Sequence, residues 1–255
     1  MIEIRLRQSW INTFLRCPEQ ARQERLGLVS QRESTDFLRG NAVHGAIEYA
    51  GRLIMAGMPR PSLDDVLEVA EEFVATYSSE VEVWRHEYEA IVDVVRANLA
   101  VWYEELFPSL DPEGVEVPFE REIGRRDNVR LVLTGTVDWV DKSGALWDWK
   151  NPGREYQAWE KKRWDIQSHA YSWALDASEF NFGVMANGKL QIIEIERTEQ
   201  HKKAFLELCW SMVPTIMSDA KTWPQNWEGW HCSPLWCPVW QAGKCRGEHL
   251  GENPW

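Results

Sequence analysis

At Gly114 the apolar residues change from helical spacing to strict alternation, and no other feature of the chain constrains its fold as much. From there Val115, Val117 and Phe119 alternate with Glu116, Pro118 and Glu120, and Leu131, Leu133, Val137 and Trp139 continue a strand pattern. Turn residues 141–144 (Asp-Lys-Ser-Gly) lead into a short return strand over 145–150. Residues 157–176 read as a helix. Two more strands, 180–186 and 190–195, are joined by Asn187-Gly188, the strongest short hairpin signal in the chain. A helix from about Thr198 to Ser218 precedes a tail rich in Trp, Pro and Cys. Upstream of Gly114 the pattern is helical throughout. Ser9 is read as the N-cap of a helix through Trp10, Phe14 and Leu15; Pro18 opens a second stretch, with Cys17 at the junction; and Ser34-Thr35-Asp36 caps a third that ends near Gly57. Residues 62–77 and 81–107 give two Glu-rich amphipathic helices. With 255 residues and 44% hydrophobic content, one substantial core is expected. The expectation is a single α/β domain: an N-terminal helical region (1–110), a sheet-bearing core (111–220) and a Cys-rich tail (221–255).

The turn at 141–144 concentrates chemistry. Asp138 lies near the end of one strand, and Asp148 and Lys150, two apart on the next, project from one face while Trp147 and Trp149 face the other way. Two carboxylates converging across a hairpin suit a hard cation such as magnesium. A lysine beside them can orient or deprotonate a bound water and offset charge on a phosphate. An exposed ion pair at a strand end has the same short pattern, so the motif alone decides nothing.

Four segments in order carry more: RGNAVH at 39–44, LTGTVDWV at 133–140, LWDWK at 146–150 and QSHAY at 167–171. Together with Cys17-Pro18 and the terminal cysteines they resemble the PD-(D/E)xK nuclease superfamily, in particular its RecB-like branch of stand-alone, phage-type and CRISPR-associated exonucleases. The resemblance spans about half the chain. It implies a restriction-endonuclease-like mixed central sheet flanked by helices, and a divalent-metal-dependent deoxyribonuclease acting on DNA ends, with single strands preferred, in recombination, repair or CRISPR adaptation. It also implies that His44, Asp138 and Asp148 are metal ligands with the Trp149 carbonyl as a further oxygen, that Lys150 activates water, and that Gln167 and Tyr171 position the lysine, the strand or the DNA. Glu48 either leans toward the metal or forms a surface salt bridge, and Glu120 and Glu122 fall outside the site. Imidazole among oxygen ligands moves the preference from magnesium toward manganese, so both should serve. The alternative from another class is a non-catalytic DNA-end-binding or assembly subunit that keeps the fold.

Nucleases similar to this one often hold a [4Fe–4S] cluster through one N-terminal and three C-terminal cysteines, and Cys17, Cys232, Cys237 and Cys245 match that arrangement. Zinc, with His231 as an extra ligand, and free thiols are the competing readings. Cys209, among Leu206, Leu208 and Trp210, reads as a small buried hydrophobe.

A net charge of −12 argues against a polyanion partner only if it is spread evenly. Residues 1–60 carry 9 Lys/Arg against 6 Asp/Glu, and residues 61–120 carry 2 against 16. The acidity therefore lies in one segment, a solvated helical face or a surface for a protein partner. DNA is expected instead at Arg16, Arg39 and the Lys161-Lys162-Arg163 cluster, with Arg22 and Arg25 also in the basic N-terminal region and Trp159 and Trp164 as stacking candidates. No apolar run reaches the roughly 18–20 residues that cross a bilayer, and the first residues lack a secretory h-region, so a cytoplasmic location is expected, that of the host if the gene is viral.

Overall fold

The computed structural model describes residues 1–245 and, within them, all side chains but that of Trp164; residues 246–255 of the expected tail and the Trp164 indole lie outside the described residues. The architecture is mixed α/β, with a six-stranded sheet between helical layers. Strand β1 (Ile2–Arg7) leads into α1 (Gln8–Arg16), α2 (Pro18–Arg25) and the long α3 (Thr35–Met55). Helices α4 (Leu63–Tyr77) and α5 (Tyr88–Glu105) complete the helical region. Strands β2 (Pro112–Arg126), β3 (Val129–Asp141) and β4 (Leu146–Lys150) follow. Then come α6 (Ala158–Trp164), α7 (Ile166–Ala174), β5 (Glu179–Ala186), β6 (Lys189–Glu196), α8 (Glu199–Ile216) and the short α9 (Pro238–Gln241).

Strand order is β1-β3-β4-β5-β6, with β2 antiparallel to β3 along nearly its whole length. β1 and β4 share the other edge of β3. β1 runs parallel to residues 129–134, and β4 pairs only with Trp139 and Val140. Residues 135–138 of β3 thus have no ladder partner on that edge among the described strands, and this gap is where the reactive groups gather.

Two cores hold the layers. On one face Ile4, Leu6, Leu131, Leu133, Phe180 and Phe182 pack with α1, α7 and α8. On the other, Trp139, Trp149 and Val115 pack with α3, α4 and α5 around Trp102. Gly51 of α3 is needed for that contact, because a Cβ there would come within 2.5 Å of the Trp139 ring and 2.6 Å of Val115. Beyond α8 the tail binds back onto α1 and α2. Trp223 is buried edge-on to Trp10 and Phe14, its N–H donates to Glu19 (2.8 Å), and Asn226 donates to the Arg16 carbonyl (3.0 Å).

Three local readings differ from the sequence expectation. The first residues form a strand: Ile2, Ile4 and Leu6 alternate with Glu3, Arg5 and Arg7, so the signal was period two, and Arg7 rather than Ser9 stands at the cap of α1. The 157–176 helix breaks at Asp165, whose carboxylate accepts from the Ser168 N–H (2.9 Å) and caps α7. Residues 81–87 are not helical and α5 begins at Tyr88. Among the described residues no helix is long and apolar enough to cross a membrane.

Candidate metal and active site

α3 presents His44 to the gap in β3, while β2, β3 and β4 bring Glu116, Asp138 and the Asp148-Trp149-Lys150 run. One ligating atom each from His44, Glu116 and Asp138 lies within 4.8 Å of the other two. Ligands about 2.1 Å from one ion stand at most about 4.2 Å apart, so little closure is needed to hold a cation. The His44 ring supplies an independent argument. Its Nε2 is 2.7 Å from the Trp149 carbonyl and its Nδ1 is 3.3 Å from Asp138 Oδ2. Both ring nitrogens thus face oxygens, and an oxygen-rich donor set with one imidazole fits a hard or borderline divalent ion. The second oxygen-facing element is fixed by backbone: the Trp149 N–H donates to Asp138 Oδ2 (2.9 Å).

Glu116 lies opposite Asp138 on β2, between the Val115–Trp139 and Val117–Val137 pairs. Its φ of 50° is left-handed, which costs a side-chain-bearing residue of the order of 1–3 kcal/mol and persists only where the surroundings dictate it. Burial pushes its carboxyl up to about 7, and the charges of Asp138 and Glu48 add to the rise. Such a group gives up its proton to an arriving cation.

Asp148 is 1% exposed. Its Oδ1 accepts from Gln167 Nε2 on α7, and its Oδ2 pairs with Lys150 Nζ at 2.5 Å. Burial raises the Asp148 carboxyl, the nearby charge of Asp138 adds to this, and Lys150 opposes it. For Lys150 burial favours the neutral amine, yet Asp148 and Asp138 outweigh it and hold the ammonium above the ordinary lysine range. Tyr171, one turn after Gln167, is raised by burial and by Asp148.

Of the residues singled out in the sequence, His44, Asp138, Asp148, Trp149, Lys150, Gln167 and Tyr171 come together here. Glu48 bonds to Arg52 (2.6 Å), the salt-bridge alternative. Glu116 escaped the sequence reading. Lys162 and Arg163 are exposed on α6, which leads into α7; Lys161 pairs with Asp165 (3.1 Å) and lies over the Tyr156 and Phe182 rings. Arg39 is buried: it donates to the Asn151 carbonyl (3.0 Å) and pairs with Asp36 (3.4 Å), bracing the chain just past Lys150. Arg16 faces a different groove with Arg85, Trp230 and Trp236.

The four cysteines converge. Cys17, Cys232, Cys237 and Cys245 line one cavity of about 10 Å³, with His231 also on its wall. Burial pushes the Cys232 thiol up to about 11, and the other three cysteines contribute. Cys209 is elsewhere, fully buried in α8, and its thiol is pushed up to about 12 by burial.

A mixed sheet that gathers an imidazole, carboxylates and an ion-paired lysine at one unpaired strand segment defines a metal-dependent nuclease. The chain belongs to the PD-(D/E)XK nuclease superfamily, whose sequence model matches residues 5–240. No curated protein matches it. Among solved structures it is similar to a candidate exonuclease from Eubacterium rectale, at 14% identity and a TM-score of 0.56, over 89% of this chain and 86% of that one, which shows a shared fold. It is also matched to SSO0001 at 12% identity over 96% of this chain and 94% of that one, with a TM-score of 0.36.

Proposed function

We propose that this chain is a DNA exonuclease of the RecB-like branch that hydrolyses phosphodiester bonds at DNA ends, preferring single strands, with magnesium or manganese. One observation carries the reading: the ligating atoms of His44, Glu116 and Asp138 lie within 4.8 Å of one another, beside the Asp148–Lys150 ion pair. His44, Asp138, Asp148 and the Trp149 carbonyl would hold the cation, with Glu116 as an added carboxylate. When bound, a divalent ion supplies a Lewis acid and a water acidified toward neutrality. The chain's own groups do the rest. Lys150, kept protonated by Asp148 and Asp138, orients the attacking water and offsets charge on the phosphate. Gln167 fixes Asp148, and Arg39 holds the backbone beyond Lys150 in place. Lys161, Lys162 and Arg163 approach the DNA from α6. Action at ends is supported by likeness in fold to the Eubacterium rectale protein.

The same reading assigns Cys17, Cys232, Cys237 and Cys245 to a [4Fe–4S] cluster that fastens residues 221–245 to the helical region, and the exposed carboxylates of α4 and α5 to contact with a protein partner in recombination, repair or CRISPR adaptation. The test is digestion of end-labelled linear DNA and closed circular DNA with manganese, with magnesium and with excess chelator. Labelled mononucleotides or short oligonucleotides from linear DNA alone are expected; cleavage of circles at an equal rate overturns the exonuclease reading, and full activity in chelator overturns the metal site.

A further inference from the structure

A groove of about 920 Å³ opens beside the gap in β3, walled by β1, α1, the end of α2 and the middle of β2. Its chemistry is uneven. Arg5, Arg7 and Arg25 line it, and the sole acid on its wall among the described residues is Glu120, which is already bonded to Arg5. Arg7 has no carboxylate partner among the described residues and is exposed. Arg25 has none either: it makes a 3.4 Å bond to the Arg5 carbonyl and lies 5.4 Å over the Trp10 ring. Although exposed by surface area, the Arg25 guanidinium is crowded by the groove and held below the ordinary arginine range by burial. Two cations are therefore presented without counter-charge in a chain of net charge −12.

The floor is aromatic. Phe119 and Tyr171 meet edge to face at 5.5 Å over Gly135, where a Cβ would come within 2.7 Å of the Phe119 ring. Tyr171 also joins the groove to the site, because it bonds to Gln167, which in turn holds Asp148. The groove is thus one side chain away from the Asp148–Lys150 pair.

We infer that this groove is the track for a single strand of DNA, with Arg7 and Arg25 on phosphates and Trp10 and Phe119 against bases, delivering the scissile bond past Tyr171. This rests on the nuclease reading above and deepens it by naming the groove and the residues that would select a single strand. The groove's volume lies within the span of small-ligand clefts, about 300–1,000 Å³, which suits a narrow single strand. Bare cations interleaved with rings are what sequence-independent single-strand binding needs, stacking being insensitive to base identity.

The experiment measures binding of fluorescein-labelled oligodeoxythymidylate and of a blunt duplex of equal length by anisotropy, in chelator, across a salt series. Wild type, Arg7→Glu with Arg25→Glu, Arg7→Gln with Arg25→Gln, and the exposed surface control Lys203→Glu, which matches the charge change of the Gln pair, are compared, each with its cleavage rate in manganese and its thermal melt. The expected result is at least a tenfold loss of single-strand affinity in the Glu pair and a smaller loss in the Gln pair. The log–log salt slope should fall by about 1.4 in both, as for two lost single-strand phosphate contacts. The melts should be unchanged, and Lys203→Glu should behave as wild type. If wild type cuts DNA and the Arg7/Arg25 variants keep both affinity and slope, the groove assignment is wrong while the nuclease reading stands. A loss confined to the duplex overturns the single-strand assignment. A wild type that neither binds nor cuts DNA overturns the nuclease reading itself.

Discussion

At the residue scale the proposed function assigns chemistry and DNA binding to different groups. Lys150→Ala removes the ammonium that Asp148 and Asp138 keep charged, and Asp138→Asn removes a proposed ligand that also anchors the Trp149 N–H. Each should lower cleavage by at least a thousandfold in a single-turnover assay while DNA affinity, spread over several phosphates, changes by less than about fivefold. Wild-type cleavage by Lys150→Ala sinks the mechanism. Glu116 gives a pH signature with a definite sign. Its carboxyl titrates near 7 in the metal-free fold against 4.5 unfolded, so the folded form binds the proton more tightly. Stability from this group is fully present below about 4.5 and is lost as pH rises through about 7, and cation affinity gains over the same window as the proton leaves. Calorimetric melts of metal-free protein should therefore show the acid-side advantage, and Glu116→Gln should flatten both it and the rise in manganese affinity toward pH 7. An unchanged pH profile in Glu116→Gln removes the residue from the cation site.

At the element scale, one register shift decides what could be read from the sequence. Between Glu122 and Gly124 the β2–β3 ladder slips by one, with Gly124 at φ 152°. Counted straight from the turn at Asp127-Asn128, Glu116 would oppose Trp139; after the bulge it opposes Asp138. Alternation alone could not supply that residue. Asp148 and Lys150, by contrast, lie two apart on one short strand, where period two suffices, and their grouping with His44, Gln167 and Tyr171 was legible only through the ordered motifs. β1 was legible in Ile2, Ile4 and Leu6 but hidden by the helical residues that follow it at once. The docking of α3 is a separate matter of packing. Gly51→Ala should push Trp139 and Val115 aside and cost about 1–3 kcal/mol, the range for overpacking a full core. Because His44 rides on the same helix, a chemical denaturation midpoint shift should come with weaker manganese binding. Loss of stability with metal affinity intact would show that α3 can slide without carrying His44 with it.

At the scale of the whole molecule, residues 221–245 are held to α1, α2 and the segment after them by contacts such as Trp223 and Asn226 on α1 and α2 and Lys244 on the Leu28 carbonyl. Cys17 and Cys232 are separated by more than 200 residues in sequence but share one small cavity. Protein purified without oxygen should be brown, with broad absorbance near about 400 nm. Cys17→Ala should lower iron content and melting temperature together, by several degrees, while Cys209→Ala, in the core of α8, should leave iron and colour untouched. Stoichiometric zinc in colourless, active protein would move the assignment to zinc and His231. The parallel pairing of β1 with β3 has a further consequence in the order of synthesis. Residues 2–7 are made before their partners, residues 129–134, which follow only after the whole helical region. At about 5–20 residues per second the first strand waits roughly 6–25 s on the ribosome with Ile4 and Leu6 uncovered. Trp223, which closes over Trp10 and Phe14, arrives later still. The arginine-bearing wall of the groove therefore cannot be in place on a nascent chain until the catalytic strands have emerged, so synthesis itself keeps a DNA-cutting site unassembled.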